Sequence, residues 1–255
     1  DVDGDEWEDC IDRTTDLVRL EDCPELDAKT IIEKIKQAGI VGMGGATFPT
    51  HVKLCPPPGE KAECVIINAV ECEPYLTADH SLMLEKADEI LVGVALIMKA
   101  TGVKQGYIGI ESNKPDAIKL LTEKVKSYLQ IEIVPLKVQY PQGGEKQLID
   151  ACIGRQVPSG ALPIEVGAVV QNVATVYAIY EAVQKNKPLI ERVVTVTGKE
   201  VKTPGNFRVR FGTPLSTLLD MAGGVPENTG KIIAGGPMMG RAMSNINMPA
   251  NKRIS

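Results

Sequence analysis

Short β-branched runs alternate with longer helical segments through the middle of this chain, and this alternation limits the folds open to it. The strand-like runs are "ECVIINA" (63–69), "YIGIE" (107–111) and "IEIVPLKV" (131–138). Helices are predicted at about 28–38 after a cap at Asp27, at 81–99, from Pro115 onward, at 147–152 and at 173–184. The alternation predicts an α/β fold with a largely parallel sheet.

The pattern changes after "KNKP" (185–188). "RVVTVTG" and "FRVRFG" read as two strands around the turn "KTPGN", and a short helix, "PLSTLLDMA", stops at two glycines before a last strand at "KIIAGG". This order predicts a small α+β domain. We therefore expect an acidic, solvated leader (1–26), an α/β domain (27–188) and an α+β domain (189–255).

Composition excludes several classes of protein. A net charge of −5 without a dense Lys/Arg run argues against a nucleic-acid partner. The longest apolar run, "ILVGVALIM", is far shorter than the roughly 20 residues of a membrane helix and predicts a buried helix. The six cysteines have no Cys-x-x-Cys spacing and there are two histidines, so no metal site is predicted. The chain starts at Asp1 without a methionine, and we expect it to be a piece of a larger protein.

A glycine-rich stretch follows the first predicted helix. This glycine loop, "GIVGMGGATFP" (39–49), places Gly42, Gly44 and Gly45 where a ligand could touch the backbone, with Lys53 downstream. A Rossmann loop follows a strand, so that explanation fits poorly here. Its N–H groups suit a planar or phosphate-bearing ligand. A tight structural turn is the alternative.

Four motifs in order resemble a known family. "GMGGATFPTHVK" and "INAVECEPY" resemble GRGGAGFPTGxK and CNADESEP of the flavin- and NADH-binding subunit of respiratory complex I, and "QGGEKQL" and "VQNVAT" resemble its CGEETAL and VNNVET. The stretch "AGIVGMGGATFPTHVKL" is closer to the C subunit of the Rnf-type ion-translocating ferredoxin:NAD oxidoreductase. Residues 193–240 resemble the soluble-ligand-binding β-grasp domain that follows in that protein. The resemblance implies a complex I flavoprotein-like α/β domain followed by a β-grasp domain.

The resemblance also implies cofactors and the residues that bind them. FMN would lie against the glycine loop, and NAD(H) would stack on the flavin. The residues expected to contact these cofactors are Gly42, Gly44, Gly45, Phe48, Lys53, Asn68, Glu71, Glu73, Glu145, Asn172 and Thr175. Phe48 would stack with the nucleotide. Lys53 would neutralise flavin charge, and Glu71 and Glu73 would orient the flavin edge and the nicotinamide. No catalytic acid, base or nucleophile is implied, because the protein aligns the two rings for hydride transfer.

Each of these side chains also has a structural alternative. Asn68 could cap a turn, Phe48 could belong to the core, and Glu71 and Glu73 could form a solvated acidic loop. Asn172 could be the N-cap of the helix "VATVYAIYEAV".

The implied function is flavin-based electron transfer in a membrane-associated complex. This chain would bind FMN, exchange hydride with NAD(H) and pass electrons to 4Fe-4S clusters elsewhere in the full subunit. It would lie peripherally, on the cytoplasmic side of the membrane, with other subunits as partners.

Met43, Val70 and Lys146 replace an arginine, an aspartate and a glutamate of the complex I pattern. These changes favour an alternative, a non-catalytic scaffold or ligand-binding module. A cobalamin reductase of diol-degrading microcompartments shares the same modules and is a second alternative.

Overall fold

A computed structural model describes residues 6–23, 26–128 and 130–255. The helices and strands of the first domain are α1 (Ala28–Gln37), α2 (Thr50–Lys53), β1 (Cys64–Asn68), α3 (Ala78–Glu85), α4 (Ala87–Thr101), β2 (Gln105–Glu111), α5 (Pro115–Lys124), β3 (Ile131–Leu136), α6 (Glu145–Ile153), β4 (Ala168–Asn172) and α7 (Val173–Gln184). Short 3-10 turns lie at Glu6–Cys10, Leu20–Asp22, Val125–Ser127 and Pro163–Val166.

The four strands form one parallel sheet in the order β3-β2-β1-β4. Alternate residues of β1 face opposite sides of the sheet: Val65 and Ile67 join the larger core with α1, α4, α5 and α7, whereas Cys64 and Ile66 join a smaller core with α6. Burial on both faces explains why the strands read as continuous apolar runs. The predicted α/β fold with a parallel sheet is confirmed.

Two elements of this domain differ from the prediction. The helix expected at 81–99 is two helices, because Lys86 leaves helical geometry (φ −129°, ψ 33°). After this break α4 packs mainly against α7, and α3 contacts α5 as well as α4 and α7. Strand β4 was not predicted. Its residues, "AVVQN", overlap the motif "VQNVAT" and directly precede α7.

The described part of the acidic leader is packed on the domain. Asp12 donates its backbone N–H to the carbonyl of Lys185, whose buried ammonium group bonds Asp12 and the carbonyl of Asp16. Leu17 and Leu20 pack against the larger core. These leader residues contact the first domain because a buried lysine needs the oxygen atoms that they supply, and the leader as a separate unit stays a prediction. Residues 1–5 and 24–25 lie outside the described residues.

The second domain contains two hairpins and one helix. Strands β5 (Glu191–Val196) and β6 (Gly205–Arg210) pair antiparallel, α8 (Leu215–Met221) packs its Leu215 and Leu218 against them, and β7 (Ile233–Ala234) pairs with β8 (Arg241–Ala242). The hairpin and the short helix confirm the predicted order of elements. The boundary at residue 188 stays a prediction. The larger core reaches Leu189, and the core of the second domain begins at Val194.

Candidate functional site

The carboxyl ends of β1 and β4 meet at one edge of the sheet. Asn68 and Asn172 are the last residues of these strands and lie directly opposite each other in the strand register. β1 continues through a crossover to β2 on one side, and β4 lies on the other side. A crevice between strands whose connections diverge is the usual ligand position of open α/β sheets.

The glycine loop folds over this edge. Gly42 donates its N–H to the carbonyl of Phe48 at 2.8 Å, and Thr47 donates back to the carbonyl of Gly42 at 3.1 Å. These two bonds close the loop on itself, as the alternative of a tight structural turn requires. These bonds use the N–H groups of Gly42 and Thr47, and other N–H groups of the loop remain for a ligand.

Thr175, in the first turn of α7, forms a hydrogen bond with the glycine loop. Its Oγ1 accepts the N–H of Met43 at 2.9 Å, and the side chain is fully buried. The Met43 side chain is buried as well, in the larger core. Thr175 therefore anchors the loop in this structure and does not face solvent.

The glycines leave room between the loop and the strand ends. A Cβ atom at Gly44 would lie 3.6 Å from the Cβ of Asn172, and one at Gly45 would have no heavy atom within 4 Å. Gly45 also has φ +103°, a conformation that disfavours other residues. The Phe48 side chain is 52% exposed, so it is not a core residue. Open space beside a bare backbone and an exposed ring suit a flat ligand.

Two polar links join α2 and β1 to the N-terminal end of α6. Lys53 pairs with Glu145 at 2.5 Å, and both side chains are partly exposed. Asn68 donates its Nδ2–H to the carbonyl of Gly143 at 2.8 Å and accepts the N–H of Val70. The structure thus brings Lys53, Asn68 and Glu145 to the same edge. Asn68 serves the turn role that was the alternative for it.

The two glutamates of the ECEP loop (residues 70–77) have partners within the protein. Glu71 accepts the N–H groups of Asp79 and His80 at 2.8 and 3.0 Å, at the N-terminus of α3. Glu73 accepts the N–H groups of Met238 and Met239 at 3.0 and 2.7 Å. Both carboxylates therefore bind backbone N–H groups and are not purely solvated. Their contact with flavin or nicotinamide stays a prediction.

Asn172 links β4, α7 and α3. Its Oδ1 accepts the N–H of Ala174 at 2.9 Å and that of Thr175 at 3.4 Å, so the side chain is the N-cap of α7. Its Nδ2 donates to Asp79 at 2.8 Å. Burial raises the pKa of Asp79. Asp79 was not among the predicted site residues, although an acidic residue in the first turn of a helix is a recognisable signal.

Two cavities are lined in part by the second domain, and the smaller one also by Met43 of the glycine loop and by Asp79. One of about 460 Å³ is lined mainly by apolar residues of the second domain, and one of about 230 Å³ lies between α3, α7 and β5. Neither Asn68 nor Asn172 lines the larger cavity, whereas Pro74 and Tyr75 of the ECEP loop do. The candidate site lies between the glycine loop and the carboxyl ends of β1 and β4, where the polar groups converge.

We predict that the stability of the protein depends on the ionisation of Glu71. Burial raises its pKa from 4.5 to about 7, and the nearby Asp79 carboxylate adds to the shift. Since the folded-state pKa exceeds the unfolded one, the folded protein holds the extra proton between pH 4.5 and 7. The free energy of unfolding should therefore rise as the pH falls through this window, by about 2 kcal/mol.

Urea unfolding of the wild type and Glu71→Gln at pH 8 and pH 5 measures this contribution. Glutamine cannot ionise, so the variant should lose the part of the rise that Glu71 contributes, whereas the buried Asp79 carboxyl keeps its own part. Glu123→Gln, an exposed carboxylate on α5, is the control and should keep it. Equal pH dependence in Glu71→Gln and the wild type would contradict the assignment.

Comparison with known proteins identifies this arrangement. Residues 35–181, which include the glycine loop, the ECEP loop and both asparagines, match the Nuo51 FMN-binding domain. The chain belongs to the Nuo51 FMN-binding domain family. Residues 193–242 match the SLBB domain, so the second domain is an SLBB domain after a Nuo51 domain. None of the helices among the described residues is both long and apolar enough to span a membrane.

Curated relatives of this Nuo51 and SLBB chain carry related names. It is 51% identical over 231 residues to the C subunit of the proton-translocating ferredoxin:NAD(+) oxidoreductase complex of Clostridium ljungdahlii, covering 91% of this chain and 50% of the relative. It is 47% identical over 231 residues to the Na(+)-translocating counterpart of Acetobacterium woodii, covering 91% and 52%. The chain thus spans about half the length of these relatives. These matches confirm the resemblance to the Rnf-type C subunit.

Solved structures support the fold of this Nuo51 and SLBB chain. A chain of an NAD+-reducing [NiFe]-hydrogenase in the air-oxidized state matches with a TM-score of 0.75 at 24% identity, over 88% of this chain and 44% of that one. The H2-reduced state matches with a TM-score of 0.71 at the same identity, over 83% and 42%. At this identity the likeness bears on the fold alone.

Proposed function

We propose that this chain is the FMN-binding part of the C subunit of a membrane-associated, ion-translocating ferredoxin:NAD oxidoreductase. One observation carries the proposal: the glycine loop, Asn68 and Asn172 converge at the carboxyl edge of a parallel sheet, with open space at Gly44 and Gly45. A side chain at either glycine would fill this space, which fits the close approach of a flat ring to a bare backbone.

The residues at this edge have distinct roles in the proposal. The N–H groups of Gly44 and Gly45 and the Nζ of Lys53 face the flavin, and Phe48 stacks beside the nucleotide. Glu145 holds Lys53 in place through their 2.5 Å ion pair. Asn172 caps α7 and Thr175 anchors the loop at Met43, so both act on the flavin through the backbone. Asn68 fixes the turn at Gly143 in the same way.

FMN, when bound, supplies hydride exchange with NAD(H) and one-electron transfer to iron–sulfur clusters, which we place outside this chain. The protein holds the loop rigid, keeps a positive charge at Lys53 and presents one open face.

We propose a peripheral position on the cytoplasmic side of the membrane, with the other subunits of the complex as partners. We also propose the domain division near residue 188.

A non-catalytic scaffold is the second candidate, and one observation favours it. Met43 and Val70 stand where the complex I pattern has an arginine and an aspartate, and both side chains are buried in apolar cores. They therefore contribute packing and offer no polar group to a dinucleotide. The scaffold would have the same fold with no bound flavin.

An anaerobic titration of the chain of residues 1–255 tests the proposal. After incubation with FMN and gel filtration, we expect flavin bands near roughly 370 and 450 nm to co-elute with the protein and to bleach on addition of NADH. Bound flavin that does not bleach would support the FMN site and contradict the proposed reduction by NADH. A folded protein that retains no flavin would contradict the proposal and favour the scaffold.

A further inference from the structure

Two cations of the second domain reach across to the glycine loop. Arg192, on β5, donates from Nη2 to the carbonyl of Met43 at 3.2 Å, and Lys252 donates from Nζ to the carbonyl of Gly39 at 2.6 Å. Arg192 also donates from Nη1 to the carbonyl of Lys252 at 2.7 Å. The three hydrogen bonds form a chain of contacts that ends on two carbonyls of the loop.

The Arg192–Met43 contact is buried, and the two contacts of Lys252 are partly buried, so both cations give up water to form them. Arg192 is 6% exposed, its Nε has no hydrogen-bond partner among the described residues, and burial lowers its pKa to about 10. Burial also lowers the pKa of Lys252. A buried cation is stable only where oxygen atoms surround it, and here several of those oxygens are backbone carbonyls.

The Met43 residue is consequently held from two sides. Thr175 of the first domain accepts its N–H, and Arg192 of the second domain donates to its C=O. The Met43 carbonyl and the Gly44 N–H belong to one planar peptide unit, so the direction of the Gly44 N–H is set by contacts with both domains. The loop, which contains four glycines, is thus hydrogen-bonded to both domains at Met43.

The second domain holds the ECEP loop as well. The methionine turn (residues 235–240) donates two N–H groups to Glu73. A Cβ atom at Gly236 would overlap the Glu73 carboxylate, so only glycine allows this approach. Both loops around the paired asparagines thus have partners in the second domain.

We propose that Arg192 and Lys252 are positioning residues of the flavin site and that the SLBB domain completes this site. The second domain fixes the carbonyls at Gly39 and Met43, and thereby sets the backbone geometry that meets the flavin. This inference rests on the proposed binding of FMN at the glycine loop. It assigns to the second domain a role in binding that does not require direct contact with the ligand.

The experiment compares Arg192→Met, Arg192→Lys and Lys252→Met with the wild type in the chain of residues 1–255. We expect Arg192→Met to raise the FMN dissociation constant about tenfold, the effect of losing a hydrogen bond from a charged donor. Lys252→Met should act in the same direction. Arg192→Lys keeps the charge and should recover part of the affinity. Fluorescence quenching of FMN gives the affinity, and visible circular dichroism of the bound flavin reports a changed orientation.

The control is Arg208→Met, on the partner strand of the same hairpin, whose side chain is 63% exposed. It should bind FMN as the wild type does. If Arg192→Met does not fold, Lys252→Met decides the question alone. Folded Arg192→Met and Lys252→Met with wild-type affinity and an unchanged flavin spectrum would overturn the inference. A wild type that binds no FMN would instead overturn the proposed function.

Discussion

Gly44→Ala should fold as the wild type does and lose most of its FMN binding. A Cβ atom at this position would meet the Asn172 side chain at 3.6 Å, an ordinary contact, and the Gly44 backbone angle suits other residues. The new methyl group would occupy the space in which we place the flavin. We expect the FMN dissociation constant to rise about 100-fold, or about 2.7 kcal/mol.

Fluorescence titration with FMN and a thermal melt of the same sample measure both effects. Gly230→Ala is the matched control, because a Cβ atom added at Gly230 would have no heavy atom within 4 Å and its φ is not positive. It should change neither affinity nor melting temperature. Unchanged FMN affinity in a folded Gly44→Ala protein would show that the glycine loop is not part of the FMN site.

Gly93→Val should unfold the first domain at much lower denaturant concentration. Gly93 lies in the middle of α4, and a Cβ atom there would lie 2.5 Å from the carbonyl oxygen of Val176 on α7. The two helices pack closely at this point, and a backbone oxygen cannot move aside as a flexible side chain can. We expect a loss of about 3 kcal/mol in the free energy of unfolding, at the upper end for overpacked cores.

Urea unfolding followed by circular dichroism measures this loss, with Gly230→Val as the control for the substitution itself. The effect should also appear in FMN binding, since α7 begins with the residues that anchor the loop. A loss below about 1 kcal/mol would show that α4 and α7 tolerate a wider spacing than this structure has.

The sequence was informative where local chemistry decides the structure. Asp27 caps α1 through the N–H of Thr30, Pro115 opens α5, and α7 occupies the predicted residues. The continuous apolar runs of β1 and β2 indicated a buried parallel sheet. Such features depend on neighbours within a few positions, which a sequence displays directly.

Contacts between residues that are distant in the sequence could not be predicted from local patterns. Strand β4 has five residues and merges with the following helix, so no loop separates the two signals. The Glu73 carboxylate was expected at the cofactor, and its partners are N–H groups 165 and 166 positions away. Arg192 lies 149 positions from Met43. Backbone carbonyls and N–H groups carry no residue-specific signal, so neither pair could be identified from the residue types.

The contact between Lys252 and Gly39 has a consequence for biosynthesis. It joins residues 213 positions apart, near the start and the end of this stretch of polypeptide. During translation the glycine loop leaves the ribosome early and gains this hydrogen bond only after residue 252 has emerged. The nascent loop therefore gains this support only once the second domain has been synthesised, and under the proposed function tight capture of FMN requires both domains.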